Sequence, residues 1–302
     1  MSRVLVICGP TSSGKSEIAL AVAEQLDGEI VNADSRQIYR GMSVGTGVPG
    51  RSVLERVPHH LYGFVDPAQR YSAARYVHDA DSVITAIAAR GHLPVVVGGT
   101  GFYIEALLGT MPLDRPPGDD ALRTRLRREA QVHSPDVLWE WLATLSRERA
   151  AATRSSDPYR ILRALESTLS ARSETNAIAE HPSLRPKLEY AVVVLRLHAA
   201  TLKMRISQRV RDMFASGLVD EAQNVRAAAA DAPALSGLGY AEALAMLDGL
   251  ATRAEALALT IRRTERYAKR QQTWFRRMSA TDVVDADDAE VALRTIIARA
   301  RE

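Results

Sequence analysis

Short apolar runs alternate with longer helical patterns through the first third of the chain. Val4 to Cys8 is a β-branched run that predicts a buried strand, and Glu29 to Ala33 and Leu93 to Val97 predict two more. Helical patterns cover Glu17 to Leu26 and residues 72–90. Strands that alternate with helices are typical of a parallel sheet with helices on both faces, so we predict an α/β fold.

A change of composition divides the chain into two predicted parts. Residues 111–120 are rich in proline, glycine and acid, and the charged pattern from Leu122 to Ala151 predicts helix. The apolar run Ala191 to Leu197 predicts a strand that returns to the sheet. We therefore predict a core of residues 1–114 and 191–302 and a helical insertion of residues 115–190. Further helices are expected at 202–230, 240–247 and 253–278, with an acidic turn and a final helix in Asp282 to Glu302.

The bulk composition is that of an ordinary globular chain. Its 302 residues are 46% hydrophobic and 25% charged, which suits one large domain or two modest ones. We find no membrane-spanning apolar run and no signal peptide, so we expect a cytoplasmic protein with no membrane partner. The single cysteine, Cys8, excludes an intramolecular disulfide and fits a reducing compartment. No pattern predicts an obligate oligomer, so a monomer is expected.

The chain is mildly basic, with a formal net charge of +3 and a pI of about 9.1. This charge alone does not establish a nucleic-acid partner. Lysine is rare, because only Lys15, Lys187, Lys203 and Lys269 contribute to the 39 basic residues. A lysine inside a glycine-rich loop is therefore harder to explain as an ordinary solvated charge.

The glycine-rich loop after the first strand matches the P-loop pattern G-x-x-x-x-G-K-[ST]. Backbone N–H groups in such a loop, together with the positive end of the following helix, bind phosphate groups. Lys15 can neutralise phosphate oxygens, and the hydroxyl of Ser16 can ligate Mg²⁺. The predicted diphosphate-binding residues are Gly9, Pro10, Thr11, Ser12, Ser13, Gly14, Lys15 and Ser16.

Most proteins with this loop hydrolyse or transfer the terminal phosphate of ATP or GTP. They usually carry an acidic residue after a second apolar strand, where it holds the metal. Here Leu93 to Val97 is followed by Gly98, Gly99 and Thr100, with no acid. This sequence disfavours an ordinary NTPase.

Asp34 ends the second predicted strand. Ligands of parallel sheets bind beyond the carboxyl ends of the strands, so Asp34, Thr100 and the P-loop are expected to meet in one crevice. An ionised carboxylate there can accept a proton from a substrate. Aspartates at strand ends also form turns or cap helices, and position alone leaves both roles open. Arg205 and Arg209 share a helix face and could close over a diphosphate or lie at the surface.

Thr260 to Arg277 carries seven basic residues and one acid. On an ideal helix the basic side chains fall within an arc of about 140°, which we call the basic face. Tyr267 and Trp274 border it, while Ile261, Ala268 and Phe275 lie roughly opposite and are expected to pack on the core. A cationic face edged by aromatics favours an RNA backbone with an unstacked base, rather than a merely solvated face. The basic face consists of Arg262, Arg263, Arg266, Lys269, Arg270, Arg276 and Arg277.

Taken together, these segments resemble the bacterial type of the tRNA dimethylallyltransferase family. The P-loop alone is common, whereas its combination with the other motifs in this order is highly specific. One departure is GTGVP at Gly45 to Pro49, where the family often has a lysine in GTAKP. The motifs that carry the resemblance are GPTSSGKS (9–16), DSRQIYRGM (34–42), VPHHL (57–61), DPAQRYSAA (66–74), LPVVVGGTGFY (93–103), DPYRILRALE (157–166), GLVDE (217–221), GLGY (237–240) and YAKRQQTWFR (267–276).

The resemblance implies a P-loop-containing α/β fold and transfer of a dimethylallyl group from dimethylallyl diphosphate, held with Mg²⁺, to the adenosine just 3′ of the tRNA anticodon. It implies that Asp34 takes the proton of the adenine amine, with Thr100 and Lys15 at the reacting centre. The insertion would grip the anticodon stem-loop. The tRNA contacts implied are Asp34, Ser35, Arg36, Gln37, Thr100, Arg123, Asp157, Arg160, Gly239, Tyr240, Lys269, Arg270, Gln271, Trp274 and Arg276.

Three other functions remain as alternatives. An adenylate prenyltransferase would use the same chemistry on free AMP, but would not need the insertion or the basic face. A P-loop small-molecule kinase would transfer phosphate from ATP without RNA. A non-catalytic RNA-binding protein would have no use for the intact set of Lys15, Ser16, Asp34 and Thr100.

Overall fold

The computed structural model describes residues 3–111, 120–173, 188–278 and 281–301. Its contacts divide the chain into two compact units. One, the core unit, comprises Met1–Pro112 and Arg185–Glu302, and the other, the helical unit, comprises Leu113–Leu184. None of the helices in the described ranges combines the length and the apolarity that crossing a bilayer requires.

The core unit is built on a parallel sheet of six strands in the order β3-β2-β4-β1-β5-β6. The central strands are apolar and β-branched along their length, as expected for strands covered on both faces. This confirms the predicted α/β fold with a parallel sheet. The strands are β1 (Arg3–Cys8), β2 (Gly28–Asn32), β3 (His59–His60), β4 (Leu93–Gly98), β5 (Glu189–Arg196) and β6 (Asp282–Asp285).

Some of the helices pack on this sheet, and others form the helical unit. Ser72 caps one of them, since its side chain accepts a hydrogen bond from the backbone N–H of Arg75 at 3.2 Å. A 3₁₀ turn at Pro233–Ser236 precedes the twelfth helix. The helices are α1 (Lys15–Gln25), α2 (Ser43–Thr46), α3 (Arg51–Leu54), α4 (Ala73–Ala89), α5 (Gly101–Leu107), α6 (Asp120–Val132), α7 (Pro135–Leu145), α8 (Arg147–Ala151), α9 (Pro158–Ser173), α10 (Ala199–Ala215), α11 (Leu218–Ala228), α12 (Tyr240–Leu247), α13 (Arg253–Phe275) and α14 (Ala289–Arg301).

The helical unit has its own small core. α6, α7 and α9 bury apolar side chains against one another, and α8 contributes Ala150. The indole N–H of Trp139 donates to the carbonyl oxygens of Ala150 and Thr153, which joins α7 to the end of α8. The fully buried residues are Leu126, Leu138, Leu142, Ala150, Ile161 and Leu165.

Four details differ from the predictions. The helical stretch expected from Leu122 to Ala151 is interrupted twice, before Pro135 and at Ser146, whose φ of −155° is not helical. The helix expected at 202–230 is divided at Gly217, which has a φ of 98°. The acidic turn expected at Asp282 is the edge strand β6, which pairs with β5. The two-residue strand β3 was not predicted.

Candidate active site

The P-loop connects the end of β1 to α1 and closes tightly against the sheet. A Cβ added to Gly9 would stand 2.8 Å from the carbonyl oxygen of Leu195 in β5, so this position requires glycine. Ser12 and Gly14 have φ values of 62° and 84°, which turn the loop inward. The buried hydroxyls of Ser12 and Ser13 have no hydrogen-bond partner among the described residues. Buried polar atoms of this kind are suited to a ligand.

Lys15 opens α1 and folds back over the loop. Its Nζ donates a hydrogen bond to the carbonyl oxygen of Pro10 at 2.7 Å. Burial lowers the pKa of this lysine to about 8, although the negative charge of Asp34 opposes the change. A cation held in this way is destabilised until an anion arrives beside it.

Arg209, on α10, faces the same loop. Its Nη2 donates to the carbonyl oxygen of Thr46 at 2.9 Å, and burial lowers the pKa of its guanidinium. The sequence left this arginine open between a diphosphate contact and a surface role. Arg209 lies three residues after Ile206 and seven after Leu202, both buried, and this helical spacing could have identified it as inward-facing.

A small cavity of about 30 Å³ brings the P-loop and Asp34 together. It confirms that Asp34 and the loop meet at the carboxyl ends of the strands. One carboxylate oxygen of Asp34 accepts the backbone N–H of Arg36 at 2.8 Å, so the residue also forms a turn. Of the two roles left open by the sequence, the turn is present, and the carboxylate also lines the cavity beside the P-loop. The lining residues are Thr11, Lys15, Ser16, Asp34, Gln37, Val97, Gly98 and Arg209.

Thr100 joins the loops that follow β2 and β4. Its hydroxyl accepts the backbone N–H of Ser35 at 2.9 Å and donates to the hydroxyl of Ser35 at 3.2 Å. The chain approaches itself closely here, because a Cβ on Gly98 would lie 2.2 Å from the backbone of Ala33. This packing places Thr100 beside the turn formed by Asp34.

Asp34 also lines a larger cavity of about 330 Å³. Its volume is within the range of small-molecule sites. Tyr267 lines it from α13, and burial together with the charge of Asp34 raises the pKa of its phenol to about 12, so the group stays protonated. Further lining residues include Thr11, Ser35, Arg36, Arg209, Tyr240 and Arg270.

Helix α13 presents the basic face to solvent. Ala268 and Phe275 are buried, as predicted, and six of the seven basic residues are exposed. Arg263 is the exception, because its Nη1 is 2.6 Å from the carboxylate of Glu242, whose side chain is 1% exposed. The exposed members are Arg262, Arg266, Lys269, Arg270, Arg276 and Arg277.

Gln271 was predicted to contact tRNA, and the structure corrects this. The residue is 5% exposed, and its amide binds the backbone of Thr11 and Gly99. Gln271 lies three residues after Ala268 and four before Phe275, so the helical period already placed it on the buried face.

Two other implied tRNA contacts are also engaged within the protein. The amide of Gln37 donates to the carbonyl oxygens of Thr46 and Gly47, and the buried Tyr240 donates its hydroxyl to Glu221 at 2.6 Å. Gln37 nevertheless lines the small cavity and Tyr240 the larger one. Gly239, with a φ of 89°, begins α12.

Trp274 packs against the loop that carries Thr100. A Cβ on Gly101 would lie 2.4 Å from the indole ring, and Phe102, 42% exposed, meets it edge-on at 6.5 Å. The indole N–H has no hydrogen-bond partner among the described residues. These two aromatic rings border the basic face.

In the helical unit, the predicted contacts are paired with each other or with neighbours. Arg123 forms an ion pair with the buried carboxylate of Glu166 at 2.5 Å, so it is not available as a free cation. Asp157 accepts the backbone N–H of Arg160 and caps α9, while the Arg160 side chain is 70% exposed. Of these residues, Arg160 is the one best placed to reach an RNA backbone.

The residues present fit the Mg²⁺ ion that the P-loop implies. Ser16 is exposed in the first turn of α1, next to Lys15 and opposite Asp34. No cluster of three His, Cys, Asp or Glu side chains that could hold a metal occurs in the described parts of the chain. Mg²⁺ commonly binds through one or two protein ligands and the phosphates of a substrate, and a lone hydroxyl suits that mode.

Comparison with known proteins gives a consistent result. The family described as IPP transferase matches residues 37–278, and the isopentenyl transferase family matches residues 2–62. A tRNA dimethylallyltransferase of Geobacter sulfurreducens is 41% identical over 292 residues, which cover 94% of this chain and 92% of the relative. One from Anaeromyxobacter sp. (strain Fw109-5) is 41% identical over 95% of this chain and 97% of the relative.

Solved structures have the same fold. The tRNA isopentenylpyrophosphate transferase of Bacillus halodurans has a TM-score of 0.72 and 31% identity, covering 100% of this chain and 96% of that one. A eukaryotic dimethylallyltransferase acting on tRNA has a TM-score of 0.78 at 23% identity, covering 99% of this chain and 78% of that one. The second likeness concerns the fold alone.

Proposed function

This chain belongs to the tRNA dimethylallyltransferase family, and from that premise we propose how its site performs the reaction. The protein transfers a dimethylallyl group from dimethylallyl diphosphate to the exocyclic amine of the adenosine immediately 3′ of the tRNA anticodon. A bond forms between the amine nitrogen and the allylic carbon, the bond from that carbon to oxygen breaks, and diphosphate leaves. The proton of the amine passes to a base.

The observation that carries this proposal is that Asp34 lines two cavities. It lines the small cavity together with the P-loop, and it lines the larger cavity together with α13. A diphosphate in the P-loop and a nucleobase in the larger cavity would place the breaking bond next to this carboxylate. Asp34 is therefore the base, and the hydroxyl of Thr100 orients the turn that presents it.

The P-loop and two cations stabilise the leaving diphosphate. Inward-facing N–H groups, Lys15 and Arg209 surround the site where negative charge grows as the allylic bond breaks. The hydroxyl of Ser16 would hold Mg²⁺, which would supply further neutralisation of that charge when bound. Burial lowers the pKa of both cations, so binding of the anion offsets the free-energy cost of keeping their positive charges buried.

The exposed basic face binds the tRNA backbone. Lys269 and Arg270 lie near the end of α13 and Arg276 directly follows it, with Trp274, which packs on the loop of Thr100, at their border. Removing an adenosine from its stack costs a few kcal/mol, and contacts between arginine and phosphate offset this. Ser35 and Arg36 line the larger cavity and would contact the inserted nucleotide. The helical unit grips the anticodon stem-loop, with Arg160 as one contact, and the protein acts as a cytoplasmic monomer.

Mass spectrometry tests this function directly. An unmodified anticodon stem-loop is incubated with the protein, Mg²⁺ and dimethylallyl diphosphate, next to a tube that contains AMP instead of RNA. One prenyl unit on the adenosine 3′ of the anticodon, with AMP unchanged, is the expected result. Prenylated AMP with unmodified RNA would refute tRNA as the substrate, and phosphate transfer from ATP alone would indicate a kinase.

A further inference from the structure

Gln271 connects three parts of the site from the buried side of α13. Its Oε1 accepts the backbone N–H of Thr11 at 2.9 Å, and its Nε2 donates to the carbonyl oxygen of Gly99 at 2.7 Å. Thr11 belongs to the P-loop and lines both cavities, while Gly99 directly precedes Thr100. One side chain therefore spans the loop that binds the leaving group and the loop that orients the acceptor side.

The geometry requires glutamine in particular. The partner at Thr11 is a donor and the partner at Gly99 is an acceptor, so the orientation of the amide follows from its partners. Glutamate would accept from Thr11 but repel the carbonyl of Gly99 whenever it is ionised. Methionine has a similar length and neither hydrogen bond. The contact is also close, since a Cβ added to Gly99 would lie 2.5 Å from the Nε2 of Gln271.

We propose that Gln271 is a positioning residue. It fixes the P-loop, held at Thr11, relative to the loop after β4 that carries Thr100, held at Gly99. It sets the separation between the diphosphate and the attacking amine without touching either. This inference rests on the proposed function, because the spacing of the two loops matters only if the leaving group and the acceptor both bind beside Asp34. Since α13 also carries the basic face, RNA contacts and loop geometry share one rigid element.

The test compares Gln271→Met, Gln271→Glu and a matched control, Gln272→Glu, in the full chain. Gln272 is the next residue of the same helix and is partly exposed. Gln272→Glu therefore adds the same negative charge as Gln271→Glu but keeps the hydrogen bonds of Gln271 to Thr11 and Gly99. Isothermal calorimetry with inorganic diphosphate and Mg²⁺ measures the site without catalysis. We expect Gln271→Met to weaken diphosphate about tenfold, from two lost hydrogen bonds, and Gln272→Glu to leave it unchanged.

The pH dependence of Gln271→Glu separates positioning from general damage to the fold. A protonated glutamic acid can donate to Gly99 while it accepts from Thr11, so it restores both bonds. The affinity of this variant, divided by that of wild type, is expected to rise several-fold between about pH 8 and about pH 6. Taking the ratio cancels titrations common to both proteins, including those of Lys15 and the ligand.

Steady-state kinetics give the matching functional result. Gln271→Met is expected to raise KM for dimethylallyl diphosphate and lower kcat, while KM for the stem-loop stays at its wild-type value. Diphosphate binding by Gln271→Met within twofold of wild type, or a flat pH ratio for Gln271→Glu, would overturn the proposal. If wild type prenylates no RNA, the proposed function fails, and the calorimetry still decides the role of Gln271. Should the methionine variant not fold, the glutamate variant at low pH retains the test.

Discussion

The buried amine of Lys15 makes diphosphate binding dependent on pH in a range where an ordinary lysine would not titrate. Burial lowers the pKa of Lys15 to about 8, against a usual value near 10.5. In the free protein the amine is therefore about 90% protonated at pH 7, about half at pH 8 and about 10% at pH 9. Only the protonated form supplies the positive charge that the diphosphate needs.

The affinity for diphosphate with Mg²⁺ should follow this protonated fraction. We expect about a tenfold loss between pH 7 and pH 9 and a further tenfold per pH unit above that. Because the bound anion restores the ordinary pKa, binding at pH 8 should take up about half a proton. Calorimetry in two buffers with different ionisation enthalpies measures this uptake directly.

Lys15→Arg provides the control, because a guanidinium stays charged throughout this range. Its affinity for diphosphate should change with pH only through the ligand's own protonation, and subtraction leaves the contribution of Lys15. Wild-type affinity that tracks the arginine variant from pH 7 to pH 9, with no proton uptake at pH 8, would refute the reasoning. The lysine would then have an ordinary pKa despite its burial.

Three further predictions follow from the site and from α13. Asp34→Asn should slow single-turnover prenylation by about 100-fold or more while leaving stem-loop affinity near wild type, and an unchanged rate would exclude Asp34 as the base. Arg263→Ala should lower the free energy of unfolding by roughly 2–3 kcal/mol, measured in urea, because it leaves the carboxylate of Glu242 buried without its cationic partner. The same substitution at the exposed Arg266 should have little effect on stability. Arg266→Ala together with Arg270→Ala should lower the slope of log affinity for the stem-loop against log salt by about 2, and an unchanged slope would remove the basic face from RNA binding.

Much of the sheet could be predicted because its signals are local. The runs in β1, β4 and β5 are apolar and rich in β-branched residues over five or more positions, which few other structures accommodate. β2 has a shorter signal, with Ile30 and Val31 at its centre. β6 has only two valines, between two aspartates, and β3 consists of two histidines. Both are edge strands whose existence depends on the neighbour they pair with, and a short sequence window does not contain that neighbour.

The residues of the site also fall into those that local signals predict and those that depend on distant neighbours. The P-loop, Asp34 and Thr100 were predictable, since a motif and the carboxyl ends of parallel strands bring them together. The partners of the polar side chains were not. Gln271 belongs to a family motif and Arg123 stands where the family has an arginine that contacts tRNA, yet each is bound to a partner far away in sequence, at Thr11 and at Glu166. Only tertiary packing decides whether such a side chain faces a ligand or supports the residue that does.

The strand order also determines when, during synthesis of the chain, the P-loop can adopt its final conformation. β1 lies between β4 and β5, and Gly9 abuts the backbone of Leu195. β5 begins at Glu189, after the whole helical unit. A nascent chain with β1, β2 and β4 complete therefore keeps one apolar edge of β1 open, in need of protection from aggregation, until residues 189–196 leave the ribosome.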